Sequence, residues 1–305
     1  MELKEIKKVL IVGGGTMGQQ IAFQCAAHGY DVSLYDIDGG ALGKALERLR
    51  AYAANLVTGG YLEKQAAEKA LAGIAATTDM AEAARDTDLI SESVPEDPAL
   101  KGKVFARFNE VCPSRTIFTT NTSLLVPSVI AEATRRPDRF LAFHFHQPVW
   151  VSNVADIMPH PGTDAEVVTL VRDFAGSISQ IPMVLHKENY GYVFNAMYSA
   201  LNSAAITLVA NGVASVHDVD RSWMGIMKMC VGPLGMLDAV GLDTALHIME
   251  SSEITRNDPQ TRKSAEFIKK EYVDKGWLGV KTGRGFYAYP NPEYQDPAFL
   301  KGKES

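Results

Sequence analysis

The sequence predicts an α/β fold, in which a doubly wound, mostly parallel sheet is followed by an all-α domain. Short apolar runs alternate with helical patterns up to about residue 186, which is typical of a parallel sheet covered by helices. The first run ends in Gly13-Gly14-Gly15, where a helix can begin. After Gly191 the pattern changes to long helices with one apolar face.

The strands of the first domain are predicted from short runs of apolar and β-branched residues. Val9-Leu10-Ile11-Val12 is apolar throughout, as expected for a strand buried on both faces. Further strands are predicted in chain order at 31–36, 74–77, 87–91, 116–120, 140–145, 154–158 and 181–185.

Helical patterns lie between these strands. Pro98 starts a helix that ends near Val111, because proline suits a first helical turn. Others are predicted at 16–28, 39–57, 62–72 and 164–175. The second and third of these are broken at Gly59-Gly60 and form a hairpin over about 39–72. This connection is longer than a minimal crossover, so we expect the hairpin to project from the sheet.

The second domain is predicted to be helical. Its helices are expected at 191–210, 215–229, 235–250 and 259–275. A strand pattern returns only near 285–289. The boundary lies near 186–190, which predicts a first domain of residues 1–187 and a second of residues 188–305.

Composition indicates a soluble globular enzyme and excludes some functions. Of the 305 residues, 46% are hydrophobic and 22% are charged, and the net charge is −6 without a dense Lys/Arg run, so we expect no nucleic-acid partner. Cys25, Cys112 and Cys230 are scattered, which predicts buried thiols in a reducing compartment. The charged N-terminus predicts no signal peptide, and no apolar run approaches the ~20 residues that span a membrane. A cytoplasmic protein without membrane contact is therefore expected.

The turn after the first strand matches the G-x-G-x-x-G pattern and consists of Gly13-Gly14-Gly15-Thr16-Met17-Gly18. Gly13 permits the tight turn, Gly15 lets the backbone approach a pyrophosphate, and Gly18 lets the helix pack closely on the sheet. Asp36 ends the second strand, where a carboxylate can accept hydrogen bonds from a ribose diol and repel a 2′-phosphate. The alternative is an ordinary strand–turn–helix. We expect a dinucleotide site that prefers NAD to NADP.

A histidine and a carboxylate near the end of the sheet form a candidate chemical site. His144 follows an apolar strand, and ligands in open α/β sheets gather at the carboxyl ends of strands. Asp156 lies in an otherwise apolar strand, so its charge needs a partner, and His144 is the obvious candidate. Such a pair makes a proton acceptor that works near neutral pH. A metal site of His144, His146 and His160 is an alternative, although no obvious ligand set is completed, and we predict no metal.

Taken together, these motifs resemble the 3-hydroxyacyl-CoA dehydrogenase family nearly from end to end. The further matching segments are Glu92-Ser-Val-Pro-Glu96, Lys101, Asn121-Thr-Ser123, His144-Phe-His-Gln-Pro148, Gly191-Tyr-Val-Phe-Asn195, Gly232-Pro-Leu-Gly235 with Asp238, Gly241-Leu-Asp243 and Lys281-Thr-Gly-Arg-Gly-Phe-Tyr287. The resemblance implies a Rossmann-type first domain, NAD as cofactor, a 3-hydroxyacyl-CoA thioester as substrate, and a homodimer formed through the helical domain.

The resemblance also implies roles for individual residues. His144 falls on the family's catalytic histidine, and Asp156 on its carboxylate partner, which is normally Glu. Ser123 and Asn195 fall on polar residues near the reacting oxygen. The positions implied for cofactor contact are Glu96, Lys101, Asn121, Ser123, Gln147 and Lys281. Lys281 is equally consistent with a structural salt bridge.

The sequence departs from the family pattern around the same histidine. Asp156 is one methylene shorter than Glu, so its bond to His144 is expected to need a backbone shift of about 1 Å or to be looser. His146 stands where the family usually has Phe, and Gln147 where it has Asn. Two alternatives therefore stay open beside a short-chain 3-hydroxyacyl-CoA dehydrogenase. One is a dehydrogenase of a free 3-hydroxy acid such as a sugar acid, and the other is a catalytically idle NAD-binding protein.

Overall fold

An eight-stranded sheet organises the first part of the computed structural model, which describes residues 1–251 and 257–302. The strands are β1 (Lys8–Val12), β2 (Asp31–Tyr35), β3 (Ile74–Thr77), β4 (Leu89–Glu92), β5 (Ile117–Thr120), β6 (Phe140–Phe145), β7 (Val154–Pro159) and β8 (Ile181–Val184). Their order is β3-β2-β1-β4-β5-β6-β7-β8, and all neighbours are parallel except β6 and β7. The predicted doubly wound, mostly parallel sheet is confirmed.

Helices cover both faces of this sheet. They are α1 (Thr16–Ala27), α2 (Gly39–Thr58), α3 (Lys64–Ala72), α4 (Met80–Ala84), α5 (Pro98–Val111), α6 (Ser128–Ala131) and α7 (Ala165–Ser177). Val9 and Ile11 of β1 pack in one core with α1, α2, α3 and α7, whereas Leu10 and Val12 pack in a second core with α4, α5 and α6. Side chains alternate between the faces of a strand, which explains why β1 is apolar throughout.

The helical hairpin packs through one apolar stripe. Asp38 caps α2 by accepting the N–H groups of Gly40 and Ala41. Buried residues of α2 recur at helical spacing, at Leu42, Ala45, Leu49, Ala53 and Leu56, and they join the same core as α1.

Residue contacts divide the chain into two units, Met1–Asn195 and Ala196–Ser305. The first unit extends to Asn195 because residues before Asn195 are bonded to β7 and to the turn after β5. The Tyr192 hydroxyl donates to the Thr122 carbonyl oxygen at 2.7 Å, and the Asn189 N–H lies 3.2 Å from the Met158 sulfur.

The described part of the second unit is helical. Its helices are α8 (Phe194–Ala210, which begins two residues before the division), α9 (Val216–Met227), α10 (Pro233–Val240), α11 (Leu242–Ser251) and α12 (Pro259–Glu271). The single helix predicted at 235–250 is wrong. Gly241, at φ +104°, ends α10, and α11 starts at the next residue. A buried apolar core that includes Ile206, Leu237 and Ile268 joins these helices.

The strand predicted near 285–289 is also wrong. In the described residues this segment forms only the isolated bridges of Arg284 with Gly279 and with Ala288. The Phe286 and Tyr287 N–H groups instead donate to the buried Asp238 carboxylate, each at 2.9 Å. A carboxylate therefore takes the donors that a neighbouring strand would need.

Across residues 1–251 and 257–302, none of the helices combines the length and the apolar character needed to cross a lipid bilayer.

Candidate active site

The glycine-rich turn between β1 and α1 is built for close backbone contact. Gly13 has φ +107°, and a Cβ there would lie 2.7 Å from the Ser93 carbonyl oxygen. A Cβ on Gly18 would lie 1.9 Å from the Gly13 carbonyl oxygen. Any side chain at either position would therefore force the turn and α1 away from the sheet.

Space is left in front of α1, where the cofactor is expected. A Cβ on Gly15 would meet no described heavy atom within 4 Å. Among the described residues, no side chain caps the N-terminus of α1, whose first turn begins with Thr16 and Met17. Uncapped N–H groups at a helix N-terminus attract phosphate. The turn therefore fits the pyrophosphate of a dinucleotide.

Asp36 is oriented by the same turn. Its Oδ2 accepts the Gly14 N–H at 2.7 Å, and its Oδ1 accepts the Asp38 N–H at 3.0 Å. An ionised carboxylate has about four acceptor sites, so capacity remains for a ribose diol. The arrangement suits NAD, because the negative charge would repel the 2′-phosphate of NADP.

His144 and Asp156 are paired across the antiparallel strands β6 and β7. Their Cα atoms are direct partners in the register. His144 Nδ1 lies 3.1 Å from Asp156 Oδ2, and both residues are buried. Since β6 and β7 are connected only by residues 146–153, a helical crossover does not fit between them, and the strands must run antiparallel.

His146 joins this pair, and it was not among the predicted site residues. Its Nε2 lies 3.0 Å from the same Asp156 Oδ2, and its ring lies edge-on to the His144 ring at 4.7 Å between centroids. The pattern His-x-His at the end of a strand indicates that both rings lie on the same face. This pattern is the sequence signal from which the position of His146 could have been predicted.

Two histidines and a carboxylate are also a possible set of metal ligands. The ligand atoms of His144, His146 and Asp156 lie within 4.8 Å of one another. Hydrogen bonds already pair these atoms without an ion, so the absence of a metal stays a prediction. His160 does not belong to this set, and its Nε2 instead lies 2.9 Å from the Pro137 carbonyl oxygen.

Tyr192 forms one wall of the histidine site and was also missed. Its ring stacks on the His144 ring at 4.8 Å and 28°. Its hydroxyl donates to the Thr122 carbonyl oxygen, which ties the tyrosine to the turn after β5. Tyr192 has φ +54°, an uncommon conformation for a residue other than glycine. The stacked ring limits the movement of the imidazole.

An ion network with a buried centre, Lys101 and Glu92, lies beside the turns that follow β4 and β5. Lys101 Nζ lies 2.8 Å from Glu92 Oε1 and 3.3 Å from Glu96 Oε2, and Lys101 is only 1% exposed. Thr122 Oγ1 donates to Glu96. Burial raises the pKa of Glu92, and the Lys101 ammonium opposes this effect. Glu96 and Lys101, both predicted to contact the cofactor, therefore belong to one charged cluster.

Burial and charge set the protonation of the histidine pair. Burial lowers the pKa of His144, His146 lowers it further, and the hydrogen bond to Asp156 partly opposes both effects. Burial alone would raise the pKa of Asp156, but the hydrogen bonds from His144 and His146 outweigh it and hold the pKa below its usual value. A neutral imidazole beside an ionised carboxylate is the form that can accept a proton.

Comparison with known proteins identifies the family. Residues 8–189 match the NAD binding domain of 3-hydroxyacyl-CoA dehydrogenase, and residues 191–289 match its C-terminal domain. This chain belongs to the 3-hydroxyacyl-CoA dehydrogenase family. It is accordingly an NAD-dependent oxidoreductase of the 3-hydroxyacyl-CoA dehydrogenase type.

Known proteins match the chain along nearly its whole length. A probable 3-hydroxybutyryl-CoA dehydrogenase of Bacillus subtilis is 32% identical over 93% of this chain and 98% of its own length. The mitochondrial hydroxyacyl-coenzyme A dehydrogenase of Homo sapiens is 33% identical over 93% of this chain and 91% of its own. A solved diketoreductase structure is 41% identical, with a TM-score of 0.87, and covers 93% of this chain and 99% of its own.

The remaining residues for which the family resemblance implies a role differ in burial and in bonding partners. Asn121 Oδ1 accepts the Phe145 N–H at 2.8 Å and so links the ends of β5 and β6. Ser123 and Asn195 are half-buried, and Gln147 is exposed. Lys281 lies in the second unit, where its Nζ is 2.6 Å from both carboxylate oxygens of Asp243. Lys281 thus forms a salt bridge, which was the predicted alternative to a cofactor contact.

Proposed function

We propose that this dehydrogenase oxidises a short-chain 3-hydroxyacyl-CoA to the 3-oxoacyl-CoA, with His144 as the general base and Asp156 as its partner. The observation that carries the proposal is the buried 3.1 Å contact between His144 Nδ1 and Asp156 Oδ2 at the carboxyl end of β6, within the domain that matches the NAD binding domain of the family. A short acyl chain is supported by relatives named 3-hydroxybutyryl-CoA dehydrogenase, at 32% and 33% identity.

The protein's part in the reaction is proton handling and orientation. NAD, when bound, supplies the acceptor for the hydride that leaves the alcohol carbon. Because Nδ1 of His144 donates to Asp156, Nε2 is the nitrogen that takes the hydroxyl proton. The ionised Asp156 then stabilises the imidazolium that forms. In the reverse direction, the same Nε2–H returns the proton to the developing alkoxide.

Other residues are proposed to bind and orient. Ser123 and Asn195 would hold the substrate oxygen in a reactive orientation. The turn from Gly13 to Gly18 would hold the pyrophosphate, and Asp36 the adenosine ribose. The residues proposed to surround the nicotinamide half are Glu96, Lys101, Asn121, Ser123 and Gln147.

The proposal is tested by comparing the activity of the protein on different substrates. The purified protein is supplied with NAD and with 3-hydroxybutyryl-CoA, free 3-hydroxybutyrate or a free 3-hydroxy sugar acid, and NADH formation is measured. We expect kcat/KM to be greatest for the thioester. If a free acid is oxidised and no thioester is, the substrate is a free hydroxy acid and the proposed substrate class is wrong. The assignment of His144 as the base is then tested separately by H144A.

A second candidate is reduction of a free dicarbonyl compound. The observation that favours it is the 41% identity to the diketoreductase structure. His144 would serve this reaction as the proton donor, so the same site suits both activities. NADH oxidation with acetoacetyl-CoA and with a free dicarbonyl compound separates them, because the preferred substrate shows the larger kcat/KM.

We further propose that the chain forms a homodimer through its second unit. Met224 is buried, but Ile226, Met227 and Met229 in and after α9 are 75%, 55% and 41% exposed. An apolar patch of this kind is typical of a surface that another subunit covers.

A further inference from the structure

Two histidines compete for one carboxylate oxygen in the candidate site. His144 Nδ1 and His146 Nε2 lie 3.1 Å and 3.0 Å from the same Asp156 Oδ2. An ionised carboxylate only accepts, so each contact requires a ring N–H on that nitrogen. The network thereby assigns Nδ1–H to His144 and Nε2–H to His146.

The second hydrogen bond matters because the aspartate is short and buried. Asp156 is 1% exposed, so protein groups rather than bulk solvent surround its carboxylate. The His146 ring is itself held, edge-on to His144 on one side and edge-on to the Phe194 ring at 5.5 Å on another. A fixed N–H donor thus restrains Oδ2 at the point from which it orients His144.

We propose that His146 is a positioning residue, whose Nε2–H holds the Asp156 carboxylate in the orientation that His144 needs to act as a base. The inference rests on the proposed role of His144. It is independent of the acyl group, because His146 acts on Asp156 and not on the substrate.

The charges around His144 give this role a second consequence. Asp156 on β7, His146 after β6 and Tyr192 contact its imidazole, and the charge of Glu96 in the turn after β4 also acts on it. Of these, His146 opposes protonation of His144, whereas Asp156 and Glu96 favour it. Without His146, the pKa of His144 should rise, both because a repulsion is removed and because Asp156 is free to bond to His144 alone.

The test compares two substitutions with a matched control. H146F keeps a ring of similar size but removes the donor, whereas H146Q places an amide N–H at about the reach of Nε2. H186Q alters an exposed histidine of the same unit and serves as the control. We expect H146F to lower kcat by about ten- to a hundredfold with little change in KM, H146Q to recover most of the loss, and H186Q to match the wild type.

The pH profile separates positioning from a merely structural role. The two histidines interact, so the acid limb of kcat/KM reports an apparent pKa of the pair. We expect this limb to move to higher pH in both H146F and H146Q. A wild-type kcat together with an unmoved limb in H146F would overturn the proposal, as would a kcat loss that H146Q does not recover.

A titration that needs no turnover keeps the inference separate from the proposed function. In proteins labelled with ¹⁵N-histidine, the His144 ring signals of the wild type, H146Q and H146F are followed by NMR against pH. A rise in the His144 pKa that is larger in H146F, which frees Asp156, than in H146Q, which still donates to it, supports the shared carboxylate even if no thioester is oxidised. Identical titrations in all three proteins would contradict it even in an active enzyme.

Discussion

His144 and Asp156 face each other as direct partners across β6 and β7, and His144 Nδ1 lies 3.1 Å from Asp156 Oδ2. Directly opposed residues of an antiparallel pair have Cβ atoms ~4.5–5.5 Å apart, which a short carboxylate can bridge. The distance lies at the long end of the normal hydrogen-bond range. Although Asp156 is one methylene shorter than Glu, the contact with His144 is kept. Its length fits the looser bond that was expected as the alternative to a backbone shift.

Replacing the proposed base tests this pair most directly. We expect H144A to lower kcat by about 10²–10⁴-fold, because proton transfer to Nε2 is lost. NAD affinity, measured by isothermal titration calorimetry, should stay nearly unchanged, since His144 is not part of the glycine turn. Activity that survives in H144A at the level of the control H186A would show that another group accepts the proton.

The charge of Asp156 should appear in the pH dependence. D156N keeps the size of the side chain but removes the charge that favours protonated His144. The pKa of His144 should therefore fall further, and the acid limb of kcat/KM should move to lower pH while kcat itself decreases. This direction is opposite to that expected for H146F, so a shift of the same sign in both variants would contradict the charge assignment.

Asp36 should decide between the two nicotinamide cofactors. We expect D36A to raise KM for NAD by about tenfold, because charge-assisted hydrogen bonds to the ribose are lost, and to weaken the discrimination against NADP. Steady-state kinetics with both cofactors measure the ratio. The control is D31A, since Asp31 is exposed at the start of the same strand. An unchanged NAD/NADP preference in D36A would place the ribose elsewhere.

Lys101 should be important for stability whatever its role toward the cofactor. K101M leaves the buried Glu92 without its ammonium partner, and we expect a loss of about 3–5 kcal/mol in the free energy of unfolding. Urea denaturation measures it. K103M changes an exposed lysine two residues along the same helix and should be nearly neutral. Equal stability of K101M and K103M would mean that Glu92 is neutral in the folded protein.

The apolar patch of Ile226, Met227 and Met229, in and after α9, should control self-association. We expect I226E to shift the protein from dimer toward monomer, because a carboxylate buried without a partner is strongly unfavourable. Size-exclusion chromatography with light scattering gives the mass. I181E, at another exposed isoleucine on β8, is the control. A dimer that persists in I226E at micromolar concentration would exclude this patch from the interface.

Much of the first unit could be predicted because its patterns are local. Short runs of apolar and β-branched residues located the eight strands, and a core on each face of the sheet explains why β1 is uniformly apolar. Local patterns failed where a distant group intervened. Gly241 splits a continuous apolar pattern into α10 and α11, and the Asp238 carboxylate takes the N–H groups of the expected last strand.

The sequence by itself determined the glycine turn, the carboxylate after β2 and the presence of His144 near a strand end, because each depends on residues close together in the chain. Only the tertiary structure decided that His146 and His144 share one oxygen of Asp156, and that Tyr192 stacks on the imidazole. These contacts depend on strand register and on burial, which bring together side chains 10 to 48 residues apart. A spacing in the sequence cannot specify such distances, because they are set by the packing of the whole sheet.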